Sequence, residues 1–172
     1  MIAIVYTSHT GSAKTYAEMG GMKFGLPVYS FAEARSALRE GEEIVYFGWM
    51  MAGNIQGWKD AQKRYRPAAV CAVGMSSSET LADGIRRQNK LDAALPLFLL
   101  QGAYDKTKLR GMYRFAMKIV GSMLDRQISQ KQEKTEEEVL ILKMLREGGS
   151  GIREENLSGL YQWMQCRKDW DV

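Results

Sequence analysis

The sequence has few of the residues that build crosslinks or metal sites, with one histidine, two cysteines and three prolines. Cys71 and Cys166 lie far apart and outside any Cys-x-x-Cys motif, so we expect two unpaired thiols and no disulfide. With so few histidines and cysteines, no metal site is predicted. A long hydrophobic run is missing as well. The most apolar stretch, AALPLFLL, has the length of a strand, so no transmembrane helix is predicted.

The first residues, MIAIVY, carry no basic charge ahead of their apolar run. That pattern predicts a first strand and not a secretory signal peptide, and therefore a cytoplasmic protein. The formal net charge is +4 and the isoelectric point is about 9.0. A basic balance favours anionic partners or surfaces, including the face of a membrane, but it does not choose among them.

Short apolar segments alternate with helix-forming segments along the chain. The apolar residues are continuous within each segment, which is typical of strands that are covered on both faces. Five such strands are predicted, at IAIVYT, PVYSF, EIVYFGW, AAVCAVGM and LPLFLLQG. The alternation indicates a five-stranded parallel sheet with helices on both faces, which is a three-layer α/β/α arrangement. We expect residues 1–172 to form a single domain, with an extra C-terminal helical segment at about 133–168.

The segment TSHTGSAKT, residues 7–15, joins the first predicted strand to the first predicted helix. Ligands of parallel α/β sheets bind at the carboxyl ends of strands, and the unpaired N–H groups of a helix N-terminus attract anions. The hydroxyl groups of Ser8, Thr10 and Ser12 add donors, and Gly11 allows a tight turn. The segment is not a GxxxxGK[ST] loop, so a nucleoside triphosphate with magnesium is not expected. The alternative is that Ser8 or Thr10 only caps the helix.

The same loop resembles the phosphate loop of flavodoxins, whose pattern is [ST]-x-T-G-x-[TA]. The matching residues are Ser8, Thr10, Gly11 and Ala13. Two later segments, IVYFGWMMAGNIQGW and CAVGMSSS, resemble the flavodoxin strands whose following loops flank the flavin. A third segment, LFLLQGAYDKTKLRGMYRFAMKIVGSML, resembles the flavodoxin-like group that includes menaquinone-dependent protoporphyrinogen oxidase. The resemblance implies a flavodoxin-like fold and flavin mononucleotide (FMN) as the cofactor.

By the same resemblance, the FMN phosphate would sit on the loop after the first strand, and the flavin ring between the loops after the third and fourth strands. The cofactor-binding residues that this implies are Ser8, His9, Thr10, Gly11, Ser12, Ala13, Trp49, Met50, Met51, Ala52, Gly53, Asn54, Ser76, Ser77, Ser78 and Tyr104. No side chain is predicted to be catalytic, because a flavin itself carries the electrons.

Four of these assignments keep an alternative. Trp49 would stack on the ring or belong to the core, and Tyr104 would border the ring or lie at the surface. Gly53 would let a peptide flip towards a reduced flavin, or it is a turn glycine without a redox role. His9 would donate to the phosphate or point to water, and we favour water.

Positive charge is concentrated in two segments. Residues 59–66 hold four basic residues and one acid, and residues 105–118 hold five basic residues and one acid. The second segment opens a predicted helix with an apolar stripe at helical spacing, formed by Leu109, Met112, Phe115, Ala116, Ile119, Val120, Met123 and Leu124. A basic amphipathic helix suits an anionic lipid surface or an acidic protein. The alternative is an ordinary solvated helix face above a core stripe.

The sequence favours an FMN-binding redox protein that exchanges electrons with a partner protein or a small-molecule substrate. The alternative is an FMN-dependent dehydrogenase similar to the protoporphyrinogen oxidases, with a quinone acceptor at a membrane. Residues 76–96 count against this alternative, because those oxidases carry a longer, basic insert at that place. A nucleic-acid partner is not expected, since no helix-turn-helix, zinc finger or aromatic RNA platform is evident.

Overall fold

The computed structural model describes residues 2–105, 107 and 111–167, apart from the side chains of Tyr113 and Glu137. The strands are β1 Ile2–Thr7, β2 Val28–Ser30, β3 Glu43–Met51, β4 Asn54–Ile55, β5 Arg66–Gly74, β6 Leu97–Gln101, β7 Ala103–Tyr104 and β8 Gly149–Ser150. The α-helices are α1 Ser12–Phe24, α2 Phe31–Ala37, α3 Trp58–Arg64, α4 Ala82–Asn89, α5 Gly111–Ser129, α6 Glu136–Glu147 and α7 Ser158–Cys166. Short 3₁₀ helices at Glu79–Leu81 and Glu154–Leu157 lead into α4 and α7.

The expected parallel sheet is confirmed. The five parallel strands run in the spatial order β2-β1-β3-β5-β6, and β4 pairs antiparallel with the end of β3. Counted along the chain, these strands have the 2-1-3-4-5 order of the flavodoxin-like doubly wound sheets. The strand order reverses between β1 and β3, which are neighbours although β2 lies between them in sequence. A ligand crevice is expected beside the carboxyl ends of these two strands.

Helices cover both faces of the sheet, so the three-layer α/β/α arrangement is also confirmed. On one face, buried side chains of α2, α3 and α4 pack against the sheet; they are Ala34, Trp58, Ala61 and Ile85. On the other face, buried side chains of α1 and α7 do so; they are Ala13, Tyr16, Ala17, Leu160 and Met164. Neighbouring residues of β3 point to opposite faces, with Ile44 in the first cluster and Val45 in the second. Both faces of β3 are thus buried, which explains its continuous apolar sequence.

Small residues let α1 lie close to the sheet. Ala13 and Ala17 are fully buried under the helix. A β-carbon at Gly21 would overlap the side chain of Val28 in β2, so a larger residue there would push the helix away. The helix ends at Gly25, whose left-handed backbone (φ 64°) lets its N–H bond to the Gly21 carbonyl.

The C-terminal helix α7 lies in the same layer as α1. The Tyr16 hydroxyl in α1 donates to the Gln101 carbonyl (2.5 Å) and accepts from Nδ2 of Asn156 (2.6 Å), just before α7. Burial raises the pKa of Tyr16, because the buried phenolate would lose its hydration. The C-terminal segment predicted at 133–168 therefore contains a helix, α7, that packs on the sheet. Residue 168 lies outside the described residues. The assignment of a single domain stays a prediction.

The helices α5 and α6 form a hairpin inserted between β7 and β8, which pair antiparallel. Tyr104, Met144 and Leu145 form the buried centre of a small cluster where the hairpin meets the end of the sheet. A capping box starts α6: the Glu138 N–H donates to the Thr135 hydroxyl, and the Thr135 N–H donates to the Glu138 carboxylate. The second helix of the hairpin therefore has a local start signal, and the hairpin shares a small cluster with the end of the sheet.

The apolar stripe predicted for α5 is split between two environments. Its exposed members are Met112, Phe115, Ile119 and Met123, and its half-buried members are Ala116, Val120 and Leu124. Leu109 lies outside the described residues. A single core stripe is therefore wrong for the described part of α5, because α6 covers only one side of this helix and leaves the other open.

Two further features concern the cysteines and the hydropathy of the helices. Cys71 and Cys166 are both free, and complete burial raises the pKa of the Cys71 thiol. Among the described residues, no helix combines the length and the apolar character that crossing a bilayer requires.

Replacing Tyr16 by Phe should lower the free energy of unfolding by about 1–3 kcal/mol, because a buried carbonyl and a side-chain amide lose their partner. Urea denaturation measures this loss. Tyr29→Phe is the control, since Tyr29 is half-buried and no hydroxyl hydrogen bond is found for it among the described residues. That change should cost under about 0.5 kcal/mol. Equal stability of the two variants would contradict the role given to the Tyr16 hydroxyl.

Candidate functional site

The carboxyl ends of the central strands place the predicted loops at one edge of the sheet. Thr7 of β1 lies opposite Gly48 of β3, and Trp49 lies opposite Val73 of β5. Residues 8–11 form a short turn that leads from β1 directly into α1. The loops after β1, β3 and β5 therefore follow adjacent strands. Their part in binding FMN stays a prediction.

Gly11 makes the turn before α1 possible. Its φ of 102° is strained for a residue with a side chain, and a β-carbon there would meet no atom within 4 Å. The Gly11 N–H donates to the Ser8 hydroxyl oxygen (3.1 Å), and the Gly11 carbonyl accepts from the Thr15 N–H (2.9 Å). The first turn of α1 contains no acidic residue. The partial positive charge of a helix N-terminus is therefore not offset by an acidic side chain in this turn.

Ser12 and Ala13 contribute to this turn mainly through their backbone. Ser12 is buried, and its hydroxyl oxygen accepts a hydrogen bond from the Ala103 N–H (3.0 Å). Ala13 is fully buried under α1. The Ser12 side chain thus bonds the start of β7 to the start of α1. The hydroxyl groups that remain in the turn itself are those of Ser8 and Thr10, both half-buried.

His9 and Trp49 join the first loop to the end of β3. Their rings are stacked, with centroids 5.3 Å apart and planes inclined by 24°. His9 is an exposed residue whose ring contacts an aromatic partner, and the choice between phosphate and water stays a prediction. Trp49 is half-buried and packs on the α1 side of the sheet. Trp49 therefore packs against the core, as one alternative had it, and its stacking on a flavin ring stays a prediction.

The segment after β3 is a hairpin turn. Met51 pairs with Asn54 across a two-residue turn formed by Ala52 and Gly53. Both turn residues have positive φ, 47° and 79°, which is the combination that a type I′ turn requires. Ala52 carries a β-carbon in this left-handed region, at a cost of about 1 kcal/mol. The predicted flavin loop is thus a tight, slightly strained turn.

Two consecutive amide side chains at the end of α4 hold this turn. Asn89 donates from Nδ2 to the Gly53 carbonyl and accepts at Oδ1 from the Ile55 N–H, both at 2.8 Å. Gln88 donates from Nε2 to the Ala52 carbonyl, also at 2.8 Å. A peptide flip at Gly53 would have to break the bond to Asn89. Sequence reasoning missed both amides, because nothing in a Gln-Asn pair signals a contact 36 residues away.

Met50 covers the end of the neighbouring strand β5. A β-carbon at Gly74 would overlap the Met50 side chain, so the glycine makes room for the methionine. Met50 is half-buried and packs against the cluster on the α4 side, and Met51 is half-buried as well. Trp49 and Met50, both in β3, therefore pack on opposite faces of the sheet.

Two of the three serines after β5, Ser76 and Ser78, form hydrogen bonds with each other or with the residues that follow. The Ser78 N–H donates to the Ser76 hydroxyl oxygen (3.1 Å), and the Ser78 and Thr80 hydroxyls lie 2.9 Å apart. Ser77 is exposed. This loop leads into the 3₁₀ helix before α4, so it continues to the same helix that holds the β3–β4 turn.

Tyr46 of β3 connects the end of β1 to the segment after β4 through its hydroxyl group. Its hydroxyl donates to the Gln56 carbonyl (2.7 Å) and lies 2.8 Å from the Thr7 hydroxyl. Burial raises the pKa of Tyr46, so the group stays neutral over the ordinary pH range. Gly57 leaves the space for this contact, since a β-carbon there would overlap the Tyr46 and Thr7 oxygens.

Tyr104 occupies a different environment from the one expected at a ring edge or at the surface. It is buried beside Met144 and Leu145 of α6, and burial raises its pKa. It lines a cleft of about 640 Å³ against α5 and α6, together with basic side chains that include Arg114, Lys118 and Arg146. The Arg146 guanidinium lies 2.7 Å from the Asp125 carboxylate and lowers its pKa.

FMN fits the first part of this edge well. The turn after β1 offers main-chain N–H groups, two hydroxyls, open space and no acidic side chain, which is the donor set that a phosphate needs. The ring side is more constrained. A ring on the same face of Trp49 would displace His9, and the carbonyls of Ala52 and Gly53 already accept bonds from α4.

By strand order and layering, the chain has a flavodoxin-like α/β fold. No known protein family matches the sequence, and no curated protein is recognisably similar to it. Inference about function therefore starts from the fold and from the geometry of this edge.

Replacing Asn89 by Ala should lower the free energy of unfolding by about 1–3 kcal/mol, because the buried Ile55 N–H loses its acceptor. Gln88→Ala is the matched control, since that amide is exposed and holds a single turn carbonyl. It should cost about 0.5 kcal/mol or less. Chemical denaturation gives both values, and amide exchange at Ile55 reports the local effect. A larger loss for Gln88→Ala than for Asn89→Ala would contradict this account of the turn.

Proposed function

We propose that the protein is an FMN-binding redox protein that exchanges electrons with a partner protein or a small-molecule substrate. The observation that carries this proposal is the turn 8–11 at the head of α1, placed where the strand order reverses. Doubly wound sheets bind their ligands at that position, and helix N-termini favour phosphate there.

Each part of the edge has a role in this proposal. The main-chain N–H groups at the start of α1 would bind the phosphate, with the Ser8 and Thr10 hydroxyls as additional donors. Trp49 would provide an aromatic surface for the ring, with Met50 and Met51 as apolar neighbours. Gly53 and the serine turn 76–78 would border the ring from the loops after β3 and β5.

FMN, when bound, supplies reversible electron transfer, so no catalytic side chain is required of the protein. The chain's own contribution is to bind the phosphate, to orient the ring and to limit the access of water. The bonds from Asn89 and Gln88 keep the β3–β4 turn in one position. A turn held in this way loses little conformational entropy when a ligand arrives.

The cleft beside Tyr104 favours a second candidate, a dehydrogenase similar to the protoporphyrinogen oxidases with a quinone acceptor. Arg114, Lys118 and Arg146 line this cleft next to apolar side chains of α5 and α6. Basic side chains beside apolar ones suit an apolar substrate that carries carboxylate groups. Ala103, which precedes Tyr104, donates its N–H to the Ser12 hydroxyl at the head of α1, so the strand that carries Tyr104 is bonded to that helix.

Purified protein should take up FMN, and Thr10→Asp should weaken this binding by about tenfold or more. A carboxylate beside the phosphate adds repulsion, and 1.4 kcal/mol already corresponds to a factor of about ten. Titration calorimetry and quenching of flavin fluorescence measure the dissociation constant. Ser36→Asp makes the same change of charge on the exposed face of α2 and should leave the binding unchanged.

Failure of the unmodified protein to take up FMN would overturn the proposal. Equal affinity of the Thr10→Asp and Ser36→Asp variants for FMN would show that its phosphate does not bind at the turn after β1. Turnover separates the two candidates. Oxidation of a porphyrinogen by FMN-loaded protein with a soluble quinone would favour the dehydrogenase, and electron exchange with protein acceptors alone would favour the carrier.

A further inference from the structure

The helix α5 exposes a row of large apolar side chains. Met112, Phe115, Ile119 and Met123 are 80%, 67%, 47% and 61% exposed. At 3.6 residues per turn, their spacing of three and four residues confines them to about 80° of the helix circumference. We call these four residues the outer stripe. Contiguous exposed apolar side chains of this kind mark interaction surfaces.

The outer stripe is not needed to hold α5 in the fold. The opposite side of the helix carries Met117, Gly121, Leu124 and Ile128, which are buried or half-buried. Met117 and Leu124 pack in the cluster with α6, and a β-carbon at Gly121 would approach Leu145 to 3.2 Å. One apolar face is sufficient to fix a surface helix. The outer stripe takes no part in this packing.

The charges of α5 favour an anionic partner. The helix carries Arg114, Lys118 and Arg126, and its acid Asp125 is paired with Arg146 of α6 at 2.7 Å. The preceding sequence adds three more basic residues, Lys106, Lys108 and Arg110, which lie outside the described residues. Arg114 and Lys118 lie between the outer stripe and the α6-facing side, as expected from their positions on the helical wheel.

We infer that α5 docks flat on an anionic phospholipid surface, with the outer stripe inserted at the boundary between headgroups and acyl chains. A helix with an apolar stripe flanked by Lys and Arg has the pattern of an interfacial helix. A second copy of the chain is a poorer occupant, because pairing through α5 would bring the same cations together. Each basic residue near an anionic bilayer instead adds to the attraction.

This inference does not depend on FMN, because neither the outer stripe nor its cations belong to the turn at the head of α1. Vesicle binding is therefore expected of FMN-loaded and FMN-free protein alike. A protein that binds FMN but not vesicles would overturn this inference alone, and the reverse result would overturn only the proposed cofactor.

Flotation with phosphatidylcholine vesicles that contain phosphatidylserine should recover the protein with the vesicles, and pure phosphatidylcholine should recover much less. Phe115→Gln with Ile119→Gln should lower the partition coefficient by about tenfold or more, because two large apolar side chains no longer insert. The matched control is Met22→Gln with Leu81→Gln. These residues are 79% and 45% exposed on other parts of the surface, and the pair should bind as the unmodified protein does.

The charge contribution is tested in the same assay. Arg114→Gln with Lys118→Gln should weaken binding to the anionic vesicles by about 25-fold, since each cation contributes about a factor of five near such a surface. Lys59→Gln with Lys63→Gln removes two exposed lysines of α3 and should change binding little. All these side chains are exposed, so circular dichroism should be the same for every variant.

A tryptophan at position 115 reports insertion directly. Phe115→Trp should be quenched by bromine-labelled acyl chains in anionic vesicles, and Met22→Trp should not. Three results would overturn the inference. They are failure of the unmodified protein to bind anionic vesicles, equal binding by the Phe115→Gln, Ile119→Gln variant, and a stable dimer in sedimentation that this variant abolishes.

Discussion

The close packing of α1 on the sheet is the constraint on which the candidate site depends. Fully buried Ala13 and Ala17, together with Gly21, allow the helix to approach β1 and β2 without a gap. At its start, the Ser12 hydroxyl accepts the Ala103 N–H, and one turn later Tyr16 bonds to Gln101. These contacts fix the head of α1 against β6, so the turn after β1 has a defined position relative to the neighbouring loops.

The edge around that turn is held by side chains from α4 and from within the sheet. Asn89 and Gln88 fix the β3–β4 turn from α4, and Tyr46 fixes the end of β1 from within the sheet. Ala52 keeps its strained backbone conformation, with a positive φ, because these bonds hold the turn in place. Rigid loops favour ligand binding through a lower entropic cost, but they also limit how far the Gly53 peptide can adapt to a bound ring.

The sequence predicted the sheet well, because continuous apolar runs such as EIVYFGW have few uses other than buried parallel strands. It also placed the glycine turn at the head of α1, where Gly11 has the positive φ expected of it. It could not predict the contacts of Tyr104, because its burial depends on α6, far along the chain. The sequence also could not show that α5 has one packed and one exposed apolar face, since helical spacing does not say which apolar residues contact another element.

The insertion point of the α5–α6 hairpin connects its surface to the candidate site. β7 and β8 frame the hairpin, and β7 follows β6 after a single residue, Gly102. The Gly102 carbonyl accepts the Gly151 N–H (3.0 Å), so both ends of the insertion are tied to the carboxyl end of β6. Ala103 at this root also bonds to the head of α1. A partner that held the hairpin would therefore act next to the edge where the proposed cofactor lies, and the short root leaves little freedom to separate the two.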